Sequence, residues 1–247
     1  MNPVERFVSE RNEDIDQMIQ DDELLQKSLD WMLQADEYKY TYNFSWLDRP
    51  IIKYPNDIIV LQEIIWEVKP DLIIETGIAH GGSIVFSASM LELIGGDGKV
   101  LGIDIDIREH NRERIENHRM YDRISMIEGD STAEEIVQIA RDYARNADTV
   151  MVFLDSNHTH DHVLQELNYY SEFVTIGSYL VLPDTFIEHF PRGYYDQKAW
   201  DVGNNPMTAL REFISDNEEF EIDKRKSFKA LISEAPSGYL QRIQEPL

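Results

Sequence analysis

The stretch from Asp71 to Ser83 reads Asp-Leu-Ile-Ile-Glu-Thr-Gly-Ile-Ala-His-Gly-Gly-Ser. A short apolar run over 72–74 ends in Glu75, a turn with three glycines (Gly77, Gly81, Gly82) follows, and a helical pattern opens at Ser83. A strand, an acid, a glycine turn and a helix start present backbone N–H groups and the positive end of a helix to a small ligand. Glu75 stands where a phosphate-binding loop avoids negative charge, so a cationic or amino-bearing ligand fits better than a naked pyrophosphate. Further acids close other apolar runs. Asp104 ends 100–104, with Asp106 as its neighbouring alternative, and a carboxylate there accepts two hydroxyl donors of a ribose at once. Glu128-Gly129-Asp130-Ser131 follows, where a carboxylate or hydroxyl meets an adenine amino group. Asp155 ends 153–155 and Asp184 ends 180–184.

Asp155 and Asp184 make half of a hard-cation site for Mg2+, with waters and substrate oxygens completing it. His158, three residues past Asp155, is placed to act as general base on a substrate held there. The bland alternative makes Asp155 a helix cap and His158 or His160 a loop histidine. Asn157, His160, Asp161 and His162 crowd the same loop, and Glu188 is a speculative third ligand.

Elements must hold these residues together. Strand patterns fall at 71–76, 98–104, 123–128, 149–154 and 178–183, and helix patterns at 82–94, 108–119, 132–146 and 160–174. This alternation predicts βαβ units and a mostly parallel sheet of about seven strands, a Rossmann-like α/β fold. A helix is expected over 207–215. Two strands, 220–223 and 228–233, are expected to flank a Lys-Arg-Lys turn as a terminal antiparallel pair. In such sheets ligands bind at the carboxyl ends of the strands, which is where all five acids fall.

Upstream, residues 1–37 carry eleven Asp/Glu against three Lys/Arg, with Ile15, Met18, Ile19, Leu24, Leu25, Leu29, Met32 and Leu33 at helical spacing. One or two amphipathic helices are expected, packed on the main domain or on a second copy of the chain in a homo-oligomer. Residues 38–46 are rich in aromatics, and Pro50 and Pro55 follow, so this segment is expected to be irregular and outside the central sheet. It is expected to cap the core or, with the loop 189–195, to wall a substrate pocket, where aromatic faces suit sugar rings and a planar phenol alike. Asn56 is a candidate N-cap for a helix to Val68 that buries Ile59, Ile64 and Val68. The division expected is 1–55 as a helical extension with its aromatic segment and 56–247 as the main domain.

The chain has 247 residues, a formal net charge of −24 and no cysteine. That charge excludes nucleic acid or an anionic membrane as the expected partner, because phosphate contacts need clustered Lys and Arg. Without cysteine there is no thiolate nucleophile, disulfide or Cys-ligated zinc. No secretory leader or membrane span is visible, and a cytoplasmic location is expected.

Taken together, 74–83, 100–104, Phe153-Leu-Asp-Ser-Asn-His158 and Leu182-Pro-Asp-Thr185 resemble the cephalosporin hydroxylase-like family of S-adenosylmethionine-dependent class I methyltransferases, whose members include sugar O-methyltransferases. The resemblance spans about 45–235. It implies that Glu75, Gly77, Gly81 and Ser83 lie on the methionine side of the cofactor, Asp104 on its ribose, and Asp130 with Ser131 near its adenine. It further implies Mg2+ on Asp155 and Asp184, His158 as base, and a glycan or small-molecule acceptor. Relatives commonly carry Glu-Asp where this chain has Pro183-Asp184. Two other readings share features: a nicotinamide-dependent oxidoreductase, against which the glycine spacing misses G-x-G-x-x-G, and a non-catalytic cofactor-binding partner of a biosynthetic enzyme.

Overall fold

A computed structural model describes residues 1–244. Two acidic helices open it, α1 (Pro3–Ile19) and α2 (Asp22–Asp36), capped by the side chains of Asn2 and Asp21. The aromatic segment then makes a 3-10 turn and a small antiparallel hairpin, β1 (Phe44–Trp46) with β2 (Arg49–Ile51). It stays outside the central sheet, as expected, but it is more regular than the prolines suggest. Helix α3 (Pro55–Val68) begins at Pro55 with Tyr54 as its N-cap. Asn56 therefore lies inside the helix, and its amide donates to the Ala230 carbonyl. Ile64 is buried as predicted, whereas Ile59 is 58% exposed; its neighbours Ile58 and Val60 turn inward in its place.

The alternating part follows: β3 (Leu72–Thr76), α4 (Gly82–Ile94), β4 (Lys99–Asp104), α5 (Glu109–Glu116), β5 (Ile124–Glu128), α6 (Glu134–Ala144), β6 (Val150–Leu154), α7 (His160–Tyr170) and β7 (Tyr179–Val181). The chain ends with α8 (Pro206–Asp216), β8 (Phe220–Ile222), α9 (Lys224–Lys229) and β9 (Tyr239–Arg242). The seven-stranded sheet runs β5-β4-β3-β6-β7-β9-β8, with β9 antiparallel to both neighbours. The terminal antiparallel pair is thus present, but 228–233 is not its second strand. Asp223 caps a helix by accepting from the Lys226 N–H, so the Lys-Arg-Lys segment winds as the first turn of α9. The pairing strand comes ten residues later.

The apolar strands divide two cores by their period of two. Ile73, Val100, Met151 and Phe153 face α3 and α4, while Leu72, Ile74, Leu101, Val150 and Val152 face α6, α7 and α8. Every residue of β3 and β6 is buried, as strands covered by helices on both faces require. A third cluster, Met32, Tyr54, Phe186, Ile187 and Phe190, ties α2 to the segment after β7. The sheet order reverses at β3: the chain steps outward through β4 and β5, then returns to start β6 on the other side. Such a reversal opens a crevice at the carboxyl ends of the two central strands.

Candidate functional site

Register places the acids on one rim. Thr76 pairs with Ile103 on one side and Leu154 on the other, so Gly77, Asp104 and Asp155 are level. Phe153 pairs with Val181, which brings Asp184 one step beyond Asp155. Gly77 has φ +90, and a Cβ there would run into the carbonyl of Asp155, so only glycine lets β3 and β6 exit side by side. Gly81 (φ +83) is the N-cap of α4, where an added Cβ would meet the Ile115 side chain.

Asp104 has a structural task that spacing alone does not reveal. Its Oδ2 accepts the backbone N–H groups of Ile78 and Ala79 at 2.7 and 3.0 Å, and its Oδ1 accepts from Asp106 N–H. The carboxylate therefore shapes the glycine turn, and one lone pair, on Oδ1, remains for a ligand hydroxyl rather than the two expected. Ala79 sits at φ +46, a left-handed conformation costing about 1–2 kcal/mol for a residue with a side chain. Its neighbours hold it there: Asn111 donates to the Ala79 carbonyl, and Arg49 donates to the His80 carbonyl and to Asn111. Asp106, the alternative to Asp104, is exposed beside Arg108.

Two cavities meet at this rim. The larger, about 310 Å³, is lined by Gly77, Ser83, Asp155, His158 and Asp184 together with Lys53. The other, about 190 Å³, lies over β4 and β5 and is lined by Asp104, Asp130, Ser131 and His162. Gly77, Ser156 and Trp200 border both, so the two form one trough along the strand ends. Asp130 accepts from Thr132 N–H and Oγ1, which holds its carboxyl below the usual carboxylate range. The Ser131 hydroxyl and His162 Nε2 lie 3.1 Å apart.

Asp155, His158 and Asp184 converge at the other end, each offering a ligand atom within 4.8 Å of the others. His158 Nδ1 is 3.5 Å from Asp184 Oδ2, and its ring stands edge-on against Trp200 at 4.7 Å. Asp184 adopts a left-handed φ of 58 after Pro183. Burial pushes its carboxyl up to about 6, with His158 pulling down and the adjacent Asp155 pushing further up. His160 faces Thr208 and Glu212, away from the cluster, and Glu188 is engaged by Gly203, Asn205 and Arg211. Neither belongs to the site.

Glu75 is not on the open cleft. It lies one layer deeper, in a cavity of about 20 Å³ with Lys53, Ser83, Asp155 and Glu234, and accepts from the Ser83 hydroxyl. Burial pushes its carboxyl up to about 7. Sequence reading missed Lys53 and Glu234. Lys53 is 8% exposed and donates to Glu234 at 2.6 Å and to Asp155 at 3.1 Å. Burial works against its ammonium, but Asp155 and Glu234 outweigh it and hold its pKa well above the ordinary lysine value. One signal was available: Lys53 is a lone charge inside Pro-Ile-Ile-Lys-Tyr-Pro. Glu234 offered none, since only the tertiary path of 230–238 brings it near. Four carboxylates (Glu75, Asp155, Asp184, Glu234) thus surround one lysine, and a cleft with that surplus of buried negative charge favours cations.

Residues 38–243 match the family model described as Rhamnosyl O-methyltransferase/CmcI. Among curated proteins, the rhamnosyl O-methyltransferase of Mycobacterium leprae is 31% identical over 220 residues, covering 84% of this chain and 90% of that protein. Two solved structures of CmcI share the fold. The apo form has a TM-score of 0.59 at 18% identity over 83% of this chain and 78% of that one. A form with Mg and SAM has 0.57 at 19% over 82% and 78%.

Proposed function

The chain belongs to the rhamnosyl O-methyltransferase/CmcI family and is an S-adenosylmethionine-dependent O-methyltransferase; from that premise we propose that it methylates a sugar hydroxyl held at Asp155, His158 and Asp184. The observation that carries this reading is the meeting of those three side chains in the larger cavity, at the end of the trough away from Asp104 and Asp130.

The trough suits the methyl donor in both shape and charge. The Asp104 and Asp130 half would take the adenosine, with one ribose hydroxyl donating to Asp104. The half beside Gly77 and Ser83 would take the amino-acid end and sulfonium, favoured by the surrounding carboxylates. Glu75, one layer down, would act through Ser83 and through its charge rather than by direct contact.

The sulfonium methyl is already electrophilic, so the protein must orient an acceptor oxygen in line with it and remove the oxygen's proton. Asp184 beside His158 Nδ1 favours the tautomer with the proton on Nδ1, which leaves Nε2 free to accept from the acceptor. Asp184 also stabilises the imidazolium that forms. Trp200 against the imidazole limits its rotation. Asp155 and Asp184 would hold Mg2+, a fit supported by their close approach and by the excess of carboxylates over the one lysine around them; the ion would polarise the acceptor oxygens and lower their pKa. Tyr42, Tyr195 and Trp200 line the mouth of the same cavity and offer faces to a sugar ring.

The test is methyl transfer from labelled S-adenosylmethionine to a panel of rhamnosides, other sugars and catechols, with and without EDTA. Transfer to a sugar that EDTA abolishes and Mg2+ restores is the expected result. Transfer confined to catechols overturns the sugar assignment, and indifference to EDTA removes the metal.

A further inference from the structure

Behind the cleft lies a set of buried polar groups for which methyl transfer as described has no use. Lys53 donates to both Glu234 and Asp155, at 2.6 and 3.1 Å. Glu234 is fixed from its far side. Its own N–H donates to Asp57 Oδ2 at 2.8 Å, and the hydroxyls of Ser233 and Tyr239 donate to Asp57 Oδ1 at 2.5 and 3.0 Å. Asp57 is 1% and Glu234 6% exposed. Helix α3, the 230–238 segment and strand β9 therefore clamp the Lys53 ammonium against Asp155 Oδ2, inside the cavity that also holds Asp184.

We propose that the Lys53–Glu234 pair is a built-in counter-charge that sets how tightly Asp155 and Asp184 hold a divalent cation, Lys53 opposing the ion and Glu234 offsetting Lys53. This rests on the divalent-cation reading of the site. Lys53 is the cation set among Asp155, Asp184, Glu234 and the deeper Glu75, and the remaining excess of carboxylates suits a cation. Neutralising Lys53 enlarges that excess, and neutralising Glu234 reduces it. A full charge added or removed beside a buried site shifts an ion's affinity by roughly tenfold or more. Lys53 also donates to one of the two Asp155 oxygens.

The sign of the change separates this role from a structural one. If the pair merely propped up Asp155, removing either partner would loosen the site and weaken the ion. The experiment is Mn2+ titration of the full chain, followed by the electron paramagnetic resonance signal of the free ion. Lys53→Met should bind Mn2+ about tenfold more tightly than wild type and Glu234→Gln about tenfold more weakly, with the double variant close to wild type. Unchanged or weaker binding by Lys53→Met overturns the proposal. Should Lys53→Met fail to fold by circular dichroism, Glu234→Gln is compared with the double variant, which leaves no unpaired charge; equal affinities overturn the proposal. A wild-type protein that binds no Mn2+ refutes the cation reading itself, an outcome distinct from binding that Lys53 does not modulate.

Discussion

His158 and Glu75 show how one neighbourhood assigns different chemistry to different groups. His158 stands in the open cleft with a carboxylate on one ring nitrogen and the Trp200 ring perpendicular to its own, an arrangement that orients a base. His158→Ala is expected to lower kcat by about 10²–10⁴-fold while S-adenosylhomocysteine affinity stays within about twofold. Calorimetry beside steady-state rates checks both, and a fully active variant removes the base assignment. Glu75 is buried and unpaired by any direct cation, and its carboxyl rises to about 7 from an ordinary 4.5. Between those values the folded chain binds a proton that the unfolded chain has released. Its contribution to stability is therefore complete below about 4.5 and is lost as pH climbs to about 7, by at most about 3 kcal/mol. Glu75→Gln cannot ionise, so without ligand it should be more stable than wild type at pH 8 but not at pH 4.5. Urea unfolding at the two pH values measures this, and parallel behaviour of the two proteins would sink it.

At the scale of elements, the site depends on backbone that only a few residues permit. Gly77→Ala would set a methyl group against the Asp155 carbonyl and force a left-handed φ on a side-chain residue. The expected cost is about 2 kcal/mol or more, together with loss of cofactor binding, because β3 and β6 must then part at the carboxyl end where the ligand sits. Thermal unfolding and S-adenosylhomocysteine titration report the two effects separately; wild-type values in both would contradict the close-approach argument. The turn was legible at this scale, since an acid and three glycines after an apolar run have few other uses. Its scaffolding was not. Asn111 and Arg49, which hold the Ala79 and His80 carbonyls, come from separate elements and carry no local pattern. The 228–233 segment failed for a related reason. Its apolar residues satisfy a strand period, but Asp223 supplies a helix cap just upstream, and Tyr239–Arg242 takes the partner position beside β7.

Across the described residues, the seven-stranded sheet brings Asp104, Asp130, Asp155 and Asp184 to the carboxyl edge, with Glu75 one layer beneath. The N-terminal helices contribute less. Helix α1 buries no residue fully, and its paired contact with α9, Asp16 to Arg225, is solvent-exposed. Removing residues 1–20 should leave methyl transfer within about twofold and shift Tm by only a few degrees. A collapse of activity would mean that α1 supports the site through a second copy of the chain, which sedimentation would then reveal. No helix among the described residues is long and apolar enough to cross a membrane.

The sequence by itself determined the alternating α/β order, the glycine turn and the acids at the strand ends, because apolar periodicity and turn chemistry are local and survive without partners. It also carried the family resemblance, which depends on the same short motifs. Only the tertiary structure decided that Asp104 shapes the turn, that Glu75 lies behind the cleft, and that Lys53 and Glu234 stand against Asp155. Those facts depend on which distant segments meet in a low-dielectric interior, where a single buried charge must find its partner across 181 residues of chain.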